Sequence, residues 1–201
     1  MILKIRSTGE PVLRGRARPL QPEEILLPST QELIASMRET MRDAPGVGLA
    51  APQIGLPLQL AVIEDREEYM KDITREMLAE RERKPVAFEV IINPVLTLES
   101  EPEVEFFEGC LSLPGLVALV PRARKVKVEC LDAQGKPKVI RASGWHARIL
   151  QHEIDHLQGA LYLDRMHSRS FMTVDLLTRH WNDLPIAEVK RRLGISTPGV
   201  K

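Results

Sequence analysis

Apolar and polar residues follow one another along the chain in patterns that predict helices at both ends and strands between them. After Ser29 an apolar residue recurs at every fourth position, and Ser29 with Glu32 forms a capping-box sequence. This pattern predicts an amphipathic helix over residues 30–43. The preceding residues 22–28 show no period and predict an irregular lead-in.

Short apolar runs after this helix predict a set of strands. The runs are 58–63, 87–94, 104–109, 126–132 and 137–142. The last two flank a short turn with Gly135 and predict a hairpin. Three further helices are predicted over 145–158, 173–183 and 185–194. Strands grouped between early and late helices are typical of an α+β fold with antiparallel or mixed sheets around a central helix, rather than of regular βαβ alternation.

The length and the absence of repeats predict a single domain over residues 1–201. Residues of about 64–85 are mostly charged and predict a solvent-facing, partly helical insertion. Residues of about 173–201 predict a helical tail. Its start carries an apolar stripe that we expect to pack on the body of the protein or to form a dimer contact; the stripe consists of Met172, Leu176, Leu177 and Trp181.

Charge and composition argue against several classes of protein, including nucleic-acid-binding and membrane proteins. Lysine plus arginine equals aspartate plus glutamate at 28 each, so no basic excess favours nucleic acid or an anionic membrane. No apolar run approaches the roughly 20 residues of a membrane helix. The first residues lack the apolar core of a signal peptide, and no transit peptide is visible. We therefore expect a cytoplasmic protein. The two cysteines, Cys110 and Cys130, are too few for a disulfide scaffold.

The segment His152-Glu-Ile-Asp-His156 carries the strongest chemical signal. On a helix, two imidazoles four residues apart share one face and can bind one metal ion, with the glutamate as a general base. Trp145 and Ile149 lie on the same side of this predicted helix. A second apolar face is formed by Ala147, Leu150, Ile154 and Leu157. Two apolar faces predict a central helix that contacts the core and also lines a site.

The residues alone leave the third metal ligand open. In the long zinc-protease pattern it is a histidine, but Tyr162 occupies that position. Glu188 is the only glutamate further downstream. Cys110 is a better candidate, because Gly109 beside it lets the backbone approach closely. A lone cysteine is, however, more often a small buried apolar residue.

Three segments together resemble the peptide deformylase family. They are Gly46-Val-Gly-Leu-Ala-Ala-Pro-Gln53, Glu108-Gly-Cys-Leu-Ser112 and Gln151-His-Glu-Ile-Asp-His156. The resemblance extends from about residue 3 to about residue 172. Ser143-Gly-Trp145 and the charged insertion are similar to the organellar-type 1A branch, and Val117 stands where many bacterial members carry arginine.

The resemblance implies a metal-dependent hydrolase that removes the formyl group from the N-terminal formyl-methionine of newly synthesised proteins and releases formate. It implies that Cys110, His152 and His156 hold one divalent metal ion, with water in the fourth position. The ion expected in the cell is Fe²⁺, and Zn²⁺, Ni²⁺ or Co²⁺ also suit these ligands.

The resemblance also implies roles around the metal. Glu153 would transfer a proton, while the Gln53 side chain and the Leu111 backbone N–H would stabilise an oxyanion. The residues expected to bind substrate are Gly46, Val47, Gly48, Gly109, Trp145 and Ile149. We further expect Asp155 to pair with Arg122 and brace the helix.

The implied partners are an N-formylmethionyl peptide and the ribosome exit region, without nucleic-acid recognition or a membrane. A monomer or a homodimer is expected. Two alternatives stay open at this point. One is a zinc endopeptidase that uses the two histidines with a downstream ligand, and the other is a metal-stabilised binding module without catalysis.

Overall fold

The computed structural model describes residues 1–102 and 104–195, which form an α+β arrangement of two antiparallel sheets and a central helix. The helices are α1 (Pro22–Ile25), α2 (Pro28–Asp43), α3 (Arg75–Glu80), α4 (Gly144–Leu157), α5 (Val174–His180) and α6 (Ile186–Leu193). The strands are β1 (Gly48–Ala50), β2 (Leu60–Asp65), β3 (Val86–Leu98), β4 (Val104–Cys110), β5 (Leu113–Arg122), β6 (Lys125–Leu131), β7 (Pro137–Ser143) and β8 (Met172–Thr173).

The larger sheet has the strand order β1-β2-β3-β6-β7, and the smaller sheet has the order β4-β5-β8. Both are antiparallel throughout, and the predicted hairpin is the pair β6–β7. In the smaller sheet, Gly109 faces Val117, and the register then shifts so that Cys110 faces Leu113. This shift places Cys110 at the end of β4, where the chain turns toward β5.

Helix α4 lies at the centre of the fold, as its two apolar faces predict. Ala147 and Leu150 are completely buried in a cluster with Ile63 and Ile91 of the larger sheet. Full burial of such a side chain contributes about 1.5–3 kcal/mol relative to exposure. The opposite side of α4 carries Trp145, Ile149 and the histidines. The core therefore fixes the helix in place while its second face is left for a site.

Two predictions about the N-terminal region are wrong. Helix α2 begins at Pro28 and is preceded by Leu27 as its N-cap, and Ser29 does not cap it. Proline suits the first helical position, because its fixed φ fits the helix and the missing N–H has no partner there anyway. The predicted irregular lead-in contains the short helix α1, which also has a proline at its start.

The charged segment of about 64–85 is only partly solvent-facing. It contains α3, as a partly helical insertion would, but Glu64 and Asp65 at its start are buried. Arg42 donates to both carboxylate oxygens of Glu64 at 2.6 and 2.7 Å, and Arg83 donates to Asp65 at 2.8 and 2.9 Å. These paired arginines explain why two acidic side chains tolerate burial.

The predicted tail contains α5 and α6, while its residues 196–201 lie outside the described part of the chain. Val189 on α6 is fully buried, and Lys190 forms a buried ion pair with Glu105 of β4. Leu176 of the predicted apolar stripe stays 44% exposed. The tail thus packs on the body of the protein, and a dimer contact stays a prediction. Among the described residues, no helix combines the length and the apolar character needed to cross a bilayer.

Gly159 ends α4 and brings the chain back against the N-terminal segment. Its φ is +77°, and a Cβ there would lie 2.6 Å from the Arg14 carbonyl oxygen. Gly115 has nearly the same φ, +75°, but a Cβ there would meet nothing within 4 Å. A comparison of substitutions at these two glycines therefore distinguishes the cost of a left-handed backbone from the cost of a steric clash.

We expect Gly159→Ala to lower the free energy of unfolding more than Gly115→Ala does. Left-handed backbone at an alanine costs about 1–2 kcal/mol in both variants, and the clash at position 159 adds about 1–3 kcal/mol. Urea unfolding followed by circular dichroism measures both values. Equal losses in the two variants would show that Arg14 does not confine Gly159.

Candidate metal centre

Two elements bring three metal-binding side chains together. Cys110 ends β4, while His152 and His156 lie one turn apart on α4. Their ligand atoms all lie within 4.8 Å of one another, and Cys110 Sγ lies 3.3 Å from His156 Nε2. A tetrahedral ion with bonds of about 2.0–2.3 Å needs ligand atoms about 3.5 Å apart. The structure therefore selects Cys110 as the third group, and the three residues fit one divalent ion.

His152 is oriented by a carboxylate behind it. Its Nδ1 lies 3.0 Å from Oε2 of Glu108, which directs the opposite ring nitrogen toward Cys110. A histidine that binds a metal commonly donates its second N–H to a carboxylate in this way. Tyr162 packs against the same imidazole, with ring centroids 6.3 Å apart and planes at 21°. Glu108 and Tyr162 thus restrain the position of the His152 ring.

Glu108 is the centre of a buried charge network. Arg122 donates to both of its oxygens at 2.9 Å, and Arg148 donates to Oε1 at 2.6 Å. Burial alone would raise the pKa of Glu108, but Arg122 and His152 together hold it far below its ordinary value. Glu108 is therefore a carboxylate at neutral pH, as an acceptor for His152 must be.

Arg122 also connects this network to α4. Its Nη1 donates to Asp155 at 2.5 Å, which confirms the predicted pair. Arg165 donates to both oxygens of the same carboxylate at 2.7 Å. Removing one partner of such a buried network typically costs about 3–5 kcal/mol, because a charge is left uncompensated. These contacts brace α4 against the strands that carry Cys110.

Glu153 lies beside the metal ligands without belonging to them. Its Oε2 is buried and has no hydrogen-bond partner among the described residues. Burial raises the pKa of this carboxyl to about 7. The side chain contacts the backbone of Gly48, where a Cβ would lie only 2.1 Å from Glu153 Oε1. The absence of a side chain at Gly48 thus makes the space that Glu153 occupies.

Gln53 presents its amide nitrogen to the same site. The backbone N–H of Ala50 donates to Gln53 Oε1 at 2.8 Å, which fixes the oxygen on that side. The amide NH₂ then faces Cys110 Sγ at 3.5 Å and Ser112 Oγ at 3.3 Å. This hydrogen-bond pattern, which assigns the orientation of the amide, leaves a donor directed at the metal-binding sulfur.

A cavity of about 600 Å³ opens onto these groups. Every predicted substrate-binding residue lines it: Gly46, Val47, Gly48, Gly109, Trp145 and Ile149. Gln53, Leu111 and Glu153 line it as well, as do the ligands Cys110 and His152. His156 lies behind them and is 1% exposed. The cavity joins a mostly apolar wall to a small group of polar atoms, as binding sites for small ligands do.

Several residues at the site are not identified by the sequence analysis. Glu108 lies inside a quoted motif, but nothing in its spacing shows that it accepts from His152. Arg148 lies four residues before His152 on α4, so the helical wheel places it on the same side. Val174 lines the cavity from the tail, and no local pattern indicates this.

The Glu188 ligand of the endopeptidase alternative is not at this site. Both of its carboxylate oxygens accept hydrogen bonds from Arg191, and Arg192 donates to one of them, all on α6. The third group beside the histidines is Cys110.

Comparisons with known proteins agree with this geometry. A family model described as polypeptide deformylase matches residues 2–171. Peptide deformylase 1A, chloroplastic/mitochondrial, of Arabidopsis thaliana is 48% identical over 191 residues, which cover 95% of this chain and 69% of that protein. The mitochondrial peptide deformylase of Homo sapiens is 42% identical and covers 83% of this chain and 68% of its own length.

Solved structures show the same arrangement of the chain. A Met-Ala-Ser-bound class I type b peptide deformylase from Acinetobacter baumannii superimposes with a TM-score of 0.73 and 31% identity, covering 83% of this chain and 99% of that chain. The peptide deformylase of Thermotoga maritima gives a TM-score of 0.66 with 35% identity, over 83% of this chain and 98% of its own.

We expect Cys110→Ala to lose the metal and Cys130→Ala to keep it. Both cysteines are free, but only Cys110 has its sulfur beside the histidine pair. Metal content per chain, measured by mass spectrometry of the elements after anaerobic purification, compares the two variants. A Cys110→Ala protein with one full equivalent of tightly held metal would rule out the thiolate as a ligand.

Proposed function

The chain belongs to the polypeptide deformylase family, and we infer that it is a metal-dependent hydrolase that removes the formyl group from N-terminal formyl-methionine and releases formate. One observation supports this inference above the others. A cysteine sulfur and two imidazoles converge at an apolar cavity, next to Glu153, whose Oε2 has no hydrogen-bond partner in the part of the chain that the structure describes.

The endopeptidase alternative is not supported. It needs a downstream glutamate as the third ligand and leaves the cysteine free, whereas Cys110 Sγ lies 3.3 Å from His156 Nε2. A binding module without catalysis is not favoured either, because it gives no reason for a buried oxygen of Glu153 in the cavity wall that lacks a hydrogen-bond partner among the described residues. Family membership and local geometry therefore agree on a hydrolase.

The ligands and the carboxyl have separate tasks. Cys110, His152 and His156 would hold a divalent ion, and such an ion would supply Lewis-acid chemistry by making a water molecule acidic enough to react near neutral pH. Glu153 follows His152 on α4, so its carboxylate faces the same space and accepts the proton of the attacking water. The same carboxyl then returns that proton to the departing amine of the methionine.

Gln53 and Leu111 stabilise the negative charge that develops on the formyl oxygen. The Gln53 amide is preset by Ala50, so it needs no reorganisation as the charge forms. Leu111 follows Cys110 directly in the chain and lines the cavity, which supports this role for its backbone N–H. Loss of one such donor typically lowers turnover by about 10²–10³.

The apolar wall of the cavity suits an unbranched thioether side chain. Val47, Trp145 and Ile149 supply this wall, and Gly46 and Gly109 let a peptide main chain approach the site. Apolar contact with methionine positions the formyl carbon without using a charged group. Binding energy of this kind holds the reacting atoms together and lowers the entropic part of the barrier.

The family resemblance also supports proposals about the metal ion, the place of action and the oligomeric state. We propose Fe²⁺ as the ion in the cell, although the ligand set also accepts Zn²⁺, Ni²⁺ or Co²⁺. Action near the ribosome exit region, a cytoplasmic location and a monomeric or homodimeric state stay predictions.

We expect Glu153→Gln to release formate from formyl-Met-Ala-Ser about 10²–10⁴-fold more slowly than the unmodified protein, because the amide cannot accept the proton. Its metal content should be unchanged, since Glu153 is not a ligand. Formate release and metal content are measured on the same anaerobic samples.

Glu129→Gln is the matched control, because Glu129 lies on β6 with its side chain 51% exposed, and it should keep full activity. Normal turnover by Glu153→Gln would contradict the proton transfer. Absence of formate release by the unmodified, metal-loaded protein would contradict the function itself.

A further inference from the structure

The C-terminal tail contributes a wall to the substrate cavity. Val174, the first residue of α5, lines the cavity together with Gly115 and Leu116 of β5. The family model ends at residue 171, so Val174 belongs to a part of the chain outside the matched region. Its side chain is available for contact, because the residue is 41% exposed.

Backbone pairing fixes Val174 at this place. Strand β8 pairs with β5 through Met172 opposite Val117 and Thr173 opposite Leu116. The hydroxyl of Thr173 then accepts a hydrogen bond from the N–H of Leu176 and caps α5. Val174 is therefore held between a strand pair and a helix start, rather than on a free chain end.

The rest of the tail holds this segment from the other side. The fully buried Val189 and the ion pair between Lys190 and Glu105 attach α6 to the body of the protein. Arg169 donates to the carbonyl of Leu193 and connects α6 to the residues just before β8. Contacts on both sides thus restrain the position of α5 against the cavity.

The strand order gives the distance from the reacting group. Cys110 ends β4, β5 lies next, and β8 lies beyond β5. Neighbouring strands lie about 4.8 Å apart, so β8 lies roughly 10 Å from β4. Val174 follows β8 directly, so it lies at least about this far from β4, and an extended peptide that advances about 3.3 Å per residue needs about three residues to span such a distance. Val174 is placed to meet substrate away from the formyl group.

We propose that Val174 is a specificity-determining residue that contacts the side chain of the third residue of a formyl-methionyl peptide. This inference rests on the proposed deformylase function. An apolar, half-exposed wall favours an apolar side chain at that substrate position, because both surfaces lose contact with water on binding. Val174 acts on substrate binding and takes no part in the chemistry at Glu153.

The test introduces a negative charge at position 174 and measures its effect on the hydrolysis of peptides that carry a charged third residue. We compare kcat/KM for amidated formyl-Met-Ala-Lys and formyl-Met-Ala-Glu in the unmodified protein and in Val174→Asp. Attraction of lysine and repulsion of glutamate should raise the Lys-to-Glu ratio about fivefold, as expected for a partly exposed charge pair. A general effect of the substitution on activity cancels in this ratio, because both peptides are measured with the same protein.

Leu176→Asp is the matched control. Leu176 lies on the same helix and is 44% exposed, but it does not line the cavity. Its Lys-to-Glu ratio should equal that of the unmodified protein. The inference is overturned by an unchanged ratio in Val174→Asp or by the same shift in Leu176→Asp. If the unmodified protein deformylates none of these peptides, the proposed function fails instead.

Discussion

The structure of the metal centre depends on one buried guanidinium. Arg122 comes from β5, and it joins Glu108 on β4 to Asp155 on α4. The ligands themselves come from β4 and α4, which are separated by more than 30 residues of chain. A cysteine at a strand end and two histidines on a helix meet only if the strand and the helix keep a fixed distance. Arg122 supplies that restraint, and Glu108 transmits it to His152.

The same network decides the electrostatics of the site. Two buried carboxylates, Glu108 and Asp155, lie near the metal ligands, and Arg122, Arg148 and Arg165 compensate them. Glu153 Oε2 has no such partner within residues 1–102 and 104–195. A buried carboxyl that is not paired with a cation is free to exchange a proton, whereas a paired one is held ionised. The arrangement thus separates the structural acids from the acid that takes part in chemistry.

The sequence predicts most of the elements whose periodicity is strong. It does not predict features that depend on contacts with residues distant in the chain. The two faces of α4 are confirmed, because a helical period is local. Strand β5 is not predicted, since Pro114, Gly115 and Pro121 break its pattern, and its pairing with β4 compensates for them. The burial of Glu64 could not be predicted either, because its partner Arg42 lies on another element.

At the site, too, local patterns can be recognised in the sequence, whereas contacts between distant elements cannot. The histidine pair is recognisable from its spacing, but spacing alone does not identify Cys110 as the third ligand, and only the family resemblance joined the segments. Glu108 and Val174 reach the site through contacts between elements that no local pattern reveals. The resemblance covers the region that carries the metal ligands, while the wall formed by the tail lies outside it.

X-ray absorption at the metal edge of the metal-loaded protein tests the central claim most directly, because it reports the atoms bound to the ion. We predict one sulfur at about 2.3 Å together with nitrogen or oxygen neighbours at about 2.0–2.1 Å, two of which show imidazole scattering. A first shell of nitrogen and oxygen alone, without sulfur, would contradict the account, because Cys110 would then not be a ligand.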